Sequence, residues 1–139
     1  MNTNNKTILI IEDSETYLQI LSNFLEQAGY NTLKARNGIE GIELYGKYFP
    51  DMIITDIIMP KKEGIETIME IRELDPYIKI IAISGGGDIG PKTYLNTALF
   101  LGADAIAEKP IDYLDFMKTI QFLFSKEKNN LQEFSKVEI

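Results

Sequence analysis

Neither cysteine nor histidine occurs anywhere in the 139 residues. Without thiols there is no disulfide framework and no thiolate zinc site, a composition compatible with a reducing compartment. Without histidine the commonest general base and metal ligand is missing, so any chemistry must run on carboxylates, hydroxyls, lysine and a hard cation. Positive charge is also scarce: 14 Lys and Arg stand against 21 Asp and Glu, a formal net charge of −7. That balance argues against direct nucleic-acid binding, which needs clustered basic side chains. Long apolar runs are lacking too, and the polar start from Met1 to Lys6 has no apolar core of a secretion signal. Membrane insertion is therefore not expected, and the cytoplasm is the expected location.

What is present is enough apolar content, 45%, for one domain with a proper core and little room for a second. The chain turns on one stretch, Asp51 to Pro60, in which Met52, Ile53 and Ile54 are apolar at both parities before Asp56. Such a run predicts a strand buried on both faces that delivers a carboxylate to the edge of a sheet. Ile8 to Ile11 predicts a first strand, ending at Glu12, Asp13 and Ser14, which can cap the helix carrying Leu18, Leu21, Leu25 and Ala28. Gly29 is placed to end that helix. Tyr30 to Ala35 predicts a polar edge strand, and Asn37-Gly38 restarts a helix towards Tyr48 and Pro50. Ile65 to Arg72 patterns a third helix before Asp75-Pro76, and Ile78 to Ile83 a fourth strand running into Ser84 and glycines 85 to 87. Pro91 would open a fourth helix through Leu95, Ala98 and Leu99. Ala103 to Ala107 predicts a fifth strand, Lys109-Pro110 a break, and Asp112 with Asp115 the cap of a fifth helix through Met117, Ile120, Leu123 and Phe124. Residues 1–125 are thus expected to form the domain, with 126–139 a polar tail or linker stub.

Five strand-then-helix units imply an α/β fold, a doubly wound five-stranded parallel sheet with helices on both faces. The common order for such a sheet is 2-1-3-4-5, and ligands bind at the carboxyl ends of the strands near the switch point. Those ends carry Glu12 and Asp13 after strand one, Asp56 after strand three, Ser84 and Gly85 after strand four and Lys109 after strand five. Two unit charges about 4 Å apart repel by roughly 4 kcal/mol at an effective dielectric of about 20, so clustered carboxylates call for a cation. With oxygen donors only, Mg²⁺ fits best. Lys109 as a point charge and Ser84 with its following backbone complete a pocket for a phosphoryl group, with Asp56 the natural nucleophile.

Ile11-Glu12-Asp13, Asp56-Ile57-Ile58-Met59-Pro60, Gly64, Ile83-Ser84-Gly85, Gly102-Ala103-Asp104 and Lys109-Pro110 resemble, in order and spacing, the receiver domains of bacterial two-component response regulators, the CheY-like family of flavodoxin-like (βα)5 domains. The resemblance runs from Lys6 to about Ser125. It implies that Asp56 accepts a phosphoryl group from a sensor histidine kinase or histidine phosphotransfer protein, with slow self-dephosphorylation rather than enzymatic turnover. It further implies that Asp13, Asp56 and the backbone carbonyl of Ile58 ligate Mg²⁺ while Glu12 assists through water. Ser84, Gly85 and Lys109 would contact the phosphoryl group, and the Lys109-Pro110 bond would be cis. Output would pass to a protein target through the face of helix four, strand five and helix five. Whether the domain works alone or belongs to a longer regulator stays open.

Two departures stand out. At the switch position on strand five, where the family usually has Tyr or Phe partnering Ser84, this chain has Ile106. Ile58 occupies a place beside the path of hydrolytic water where the family can carry a polar residue, which predicts a long-lived phosphoryl group. Taken singly, each motif has an ordinary structural explanation: a helix cap at Asp13-Ser14, a solvated strand end at Asp56, a turn at Lys109-Pro110. Two competing functions remain beside the main one. One is a receiver-like interaction module that is never phosphorylated; the other is a nucleotide-binding hydrolase using the Gly85–Thr93 loop, which Pro91 disrupts by inserting a residue and removing an N–H donor.

Overall fold

The computed structural model describes residues 6–57, 59, 62–85, 96–99 and 101–137, the last eleven of these as backbone only. Five strands, β1 (Thr7–Ile11), β2 (Asn31–Ala35), β3 (Met52–Asp56), β4 (Lys79–Ser84) and β5 (Ala105–Glu108), form one parallel sheet in the order β2-β1-β3-β4-β5. The helices are α1 (Glu15–Gln27), α2 (Gly38–Tyr48), α3 (Gly64–Leu74), α4, described at 96–99 and 101, and α5 (Tyr113–Val137). This is the doubly wound order expected from the sequence.

The double-parity apolar runs now have their explanation. Leu9, Ile11, Ile53, Ile80 and Ala82 face one layer with Ile68, Ile71 and Ala98, while Ile8, Ile10, Met52, Ile54, Ile81 and Ile83 face the other with Leu18, Leu21, Leu25, Phe116 and Ile120. All eleven of these strand side chains are essentially inaccessible, and burial of each Ile, Leu or Met among them favours the fold by about 1.5–3 kcal/mol before entropy. The central strands β3 and β4 are buried along their full length, whereas edge strand β2 exposes Asn31 and Lys34.

Helix starts and stops follow local chemistry. Ser14 caps α1 by accepting from the Tyr17 amide, and Asn37 caps α2 by accepting from the Glu40 amide at 2.9 Å. Gly29 adopts φ 101° just past the end of α1, a backbone state that favours glycine.

Two boundaries differ from expectation. Strand five begins at Ala105, not Ala103, because the Ala103 and Asp104 amides are tied to the Ala98 and Ile80 carbonyls and the Asp104 carboxylate is held by Arg72. The last helix does not stop near Lys126 but continues to Val137, so the expected polar tail carries on α5. Phe124 stacks on Tyr30, which precedes β2, and Lys6, which precedes β1, lies over its ring. Beyond Phe124 the helix therefore runs past the amino-terminal rim of the sheet.

Candidate functional site

Four adjacent strand ends converge at the carboxyl rim. In β1 and β3, Ile11 pairs with Thr55, so Glu12 and Asp56 follow side by side one residue later. Asp56 in turn pairs with Ile83 of β4, which sets Ser84 next to it, and Ser84 pairs with Glu108, which sets Lys109 beside Ser84. The register alone thus brings Glu12, Asp13, Asp56, Ser84, Gly85 and Lys109 together. The Lys109 amide donates to the Ser84 carbonyl at 2.8 Å, and the Lys109-Pro110 peptide is cis.

One carboxylate oxygen from each of Glu12, Asp13 and Asp56 lies within 4.8 Å of the others. Glu12 is wholly buried and Asp56 is 6% exposed, while Asp13 opens to solvent. Each buried acid spends one oxygen on backbone: Asp56 Oδ1 accepts from the Ile57 amide at 2.8 Å and Glu12 Oε2 from the Ser14 amide at 3.0 Å. The other oxygens face Lys109, whose Nζ is 2.8 Å from Glu12 Oε1 and 3.3 Å from Asp56 Oδ2. The contact to Glu12 Oε1 is close but poorly aligned, leaving that oxygen without a proper hydrogen bond, so it counts as an ion pair. The Ser84 hydroxyl oxygen is buried and has no hydrogen-bond partner among the described residues.

The electrostatics follow. Burial pushes the Asp56 carboxyl above its usual range, against the pull of Lys109 and the Ile57 amide, and the Asp13 charge adds to the rise. Burial also raises Glu12, opposed by Lys109 and reinforced by Asp56. Burial would lower Lys109, but Glu12 and Asp56 outweigh it and hold the ammonium charged. Three carboxylates share one ammonium, so a fully ionised cluster carries two excess negative charges. Oxygen donors only, one solvent-open ligand and an under-satisfied Glu12 oxygen together fit a hard dication that keeps part of its water shell.

Glycine shapes the approach. A Cβ on Gly64 would sit 2.1 Å from the Asp56 carbonyl oxygen and 2.6 Å from Ile57 Cα, and the Gly64 amide donates to the Ile57 carbonyl at 2.7 Å. Only glycine lets the start of α3 press against the end of β3. Ile58, the expected carbonyl ligand, lies outside the described residues, as do residues 86–93 of the alternative nucleotide loop and the start of the fourth helix. Ile106 is half-buried on β5 opposite Ala82 and leans on the same core as Ile53 and Ala82. Beside it a groove of about 460 Å³ opens between β5 and α5, lined by Ile106, Glu108, Pro110, Asp112, Phe116 and Thr119 among others.

Two features were not found from the sequence. Tyr17, half-buried on the first turn of α1, has Lys109 Nζ 4.4 Å from its ring centroid, and its hydroxyl accepts from the Ile111 amide at 3.3 Å. Nothing in the spacing distinguishes it from an ordinary helix residue. Arg72 donates to the Gly102, Asp75 and Ile78 carbonyls and to Asp104; the Gly102-Ala103-Asp104 motif was noticed, but not what it holds.

The family model for the response regulator receiver domain matches residues 8–121. The chain is 35% identical over 115 residues to the chemotaxis protein CheY of Halobacterium salinarum, covering 83% of this chain and 93% of that protein. It is 30% identical over 118 residues to the polar-differentiation response regulator DivK of Brucella anthropi, covering 84% and 94%. Among solved structures, a receiver domain protein from Clostridium thermocellum superposes with a TM-score of 0.81 at 30% identity, over 88% of this chain and 97% of that one. The five-stranded parallel sheet in the order β2-β1-β3-β4-β5 is the fold of these receiver domains. The chain belongs to the response regulator receiver domain family.

Proposed function

We propose that this protein is a phosphorylation-controlled receiver that takes a phosphoryl group on Asp56. The observation that carries the reading is the single cluster of three carboxylates and Lys109 around the buried end of β3. An Asp56 carboxylate oxygen attacks phosphorus of a phosphohistidine on a kinase or phosphotransfer protein. The P–N bond breaks, the imidazole leaves with the electron pair and takes up a proton, and an acyl phosphate remains. Lys109 neutralises one phosphoryl oxygen, and the free Ser84 hydroxyl with the exposed Gly85 backbone donates to another. Asp13, Asp56 and Glu12 would hold Mg²⁺, with the Ile58 carbonyl a further ligand; the metal would offset charge on the transferring oxygens.

The absence of histidine from the chain accords with a donor residue on a partner. Output by protein contact, through the face that includes β5 and α5, agrees with the acidic net charge and the groove there. Among the described residues no helix is long and apolar enough to cross a membrane, and a cytoplasmic setting fits that and the cysteine-free composition. Incubation with a small phosphodonor and Mg²⁺, followed by intact mass, tests the reading. One phosphoryl adduct is expected, absent from Asp56→Asn and without added Mg²⁺; an adduct that persists in Asp56→Asn, or none in the wild type, overturns it and favours an unphosphorylated interaction module. Ile58→Asn is expected to shorten the lifetime of that adduct, measured by its decay after donor removal.

A further inference from the structure

Although β5 carries Ile106 in place of an aromatic, an aromatic ring does lie against Lys109. The Lys109 ammonium is enclosed by three groups: Glu12 Oε1 at 2.8 Å, Asp56 Oδ2 at 3.3 Å and the face of Tyr17 with its centroid at 4.4 Å. The carboxylates are the groups a phosphoryl ligand and its counter-ion would engage, whereas Tyr17 is, among the described residues around the ammonium, the one that takes no part in holding them. Its ring attracts the cation through the π-face, and its hydroxyl accepts from the Ile111 amide, two residues past Lys109 and just ahead of α5. Tyr17 and Tyr113, the first residue of α5, lean on the same apolar layer, and Tyr113 packs on Phe24 of α1 at 4.7 Å between ring centroids. The Tyr17 hydroxyl is pushed towards a higher pKa, by burial first, with Tyr113 among the smaller contributors, as expected for neighbouring rings in a shielded seam.

We propose that Tyr17 is a positioning residue that holds Lys109 towards the phosphoryl site through its ring and passes the displacement of Lys109 to the start of α5 through its hydroxyl. This rests on the receiver reading above and adds to it a route along the α1–α5 seam that needs no aromatic at Ile106. Ligand at Asp56 draws the ammonium towards the phosphoryl oxygens, the ring follows it with the contact kept, and its bond to the Ile111 amide carries that shift to Tyr113.

The test uses the full chain labelled with 3-fluorotyrosine at its seven tyrosines, the Tyr113 resonance being assigned by its loss in Tyr113→Phe. Beryllium fluoride with Mg²⁺ serves as the phosphoryl mimic. In the wild type, protein-bound fluoride and a shifted Tyr113 resonance are expected. Tyr17→Leu should still bind fluoride, with a two- to tenfold weaker half-saturation for the lost cation–ring contact, and with the Tyr113 shift lost. Tyr17→Phe, which keeps the ring and the fold, should recover the affinity to within about twofold while the Tyr113 shift stays lost. A Tyr113 shift of wild-type size in Tyr17→Phe or Tyr17→Leu overturns the proposal alone, as does unchanged affinity in Tyr17→Leu. Absence of bound fluoride in the wild type overturns the receiver reading, and this proposal with it.

Discussion

The two rims of the sheet hold comparable sets of charge and use them in opposite ways. At the amino-terminal rim, Arg72 gives its donors to three backbone carbonyls and to Asp104, and the same Asp104 oxygen accepts from the Ile80 amide at 2.9 Å. Close by, Asp75 takes the Tyr45 hydroxyl at 2.9 Å and the Tyr77 and Ile78 amides. Every one of these groups has a fixed local partner. At the carboxyl rim, two buried acids compete for one ammonium, and among the described residues one of their oxygens lacks an aligned donor and the Ser84 hydroxyl has no hydrogen-bond partner. A polar cluster that is complete stabilises a fold; one that is short of partners costs stability and waits for something else. The contrast separates a joint from a site by how far partners are supplied, since both combine carboxylates with one basic side chain.

The sharpest way to break the comparison is to exchange the consequences of mutation at the two rims. Asp56→Asn is expected to abolish phosphoryl uptake completely while leaving the urea midpoint unchanged or raised, because a buried charge is replaced by a neutral isostere. Arg72→Ala should do the reverse. It strips four charge-assisted contacts from partly buried acceptors and should cost about 3 kcal/mol or more in urea unfolding, with uptake per folded molecule unchanged.

Ser84→Ala comes next in size. Removing a buried hydroxyl without a partner should stabilise the fold by up to about 1 kcal/mol, yet slow phosphoryl uptake roughly tenfold or more by removing a donor to a charged oxygen. The smallest effect is at Tyr45, whose hydroxyl is raised to about 12, by burial first and by Asp75 second. A group whose folded value lies above its unfolded value of 10.0 contributes fully below that unfolded value and loses its contribution as pH climbs through the folded one. Tyr45→Phe should therefore cost about 1 kcal/mol at neutral pH and remove that part of the decline in stability seen by alkaline titration between the two values.

The sequence and the structure agree most closely where a signal is local or repeated. Apolar residues at both parities in β1, β3 and β4 announced strands covered on two sides, and the residue that closes each such run became a residue of the rim. The alignment of Asp56 with Ser84 and Lys109 then needed only parallel pairing in register. What could not be read depends on distance in the chain. Asp104 looks like one more residue of the fifth strand until Arg72, 32 residues earlier, claims it; Tyr17 looks like a helix residue until Lys109 and Ile111 arrive from the far edge of the sheet. The length of α5 escaped for another reason: Leu131, Phe134 and Val137 are too sparse to announce a helix by periodicity, and a helix already started at Tyr113 propagates at lower cost than a new one forms.

Ile106 has a bearing on whatever protein reads this face. A planar ring can lie flat or stand on edge, and each pose gives a visitor a different contour. A β-branched alkane is restricted at χ1 and presents no flat face to turn, so the wall of the groove keeps one shape. In the receiver proposed above, a companion protein distinguishing the two signalling conditions at this surface would have little relief to feel, and would respond instead to the tilt of the neighbouring helix or to altered charge along its border.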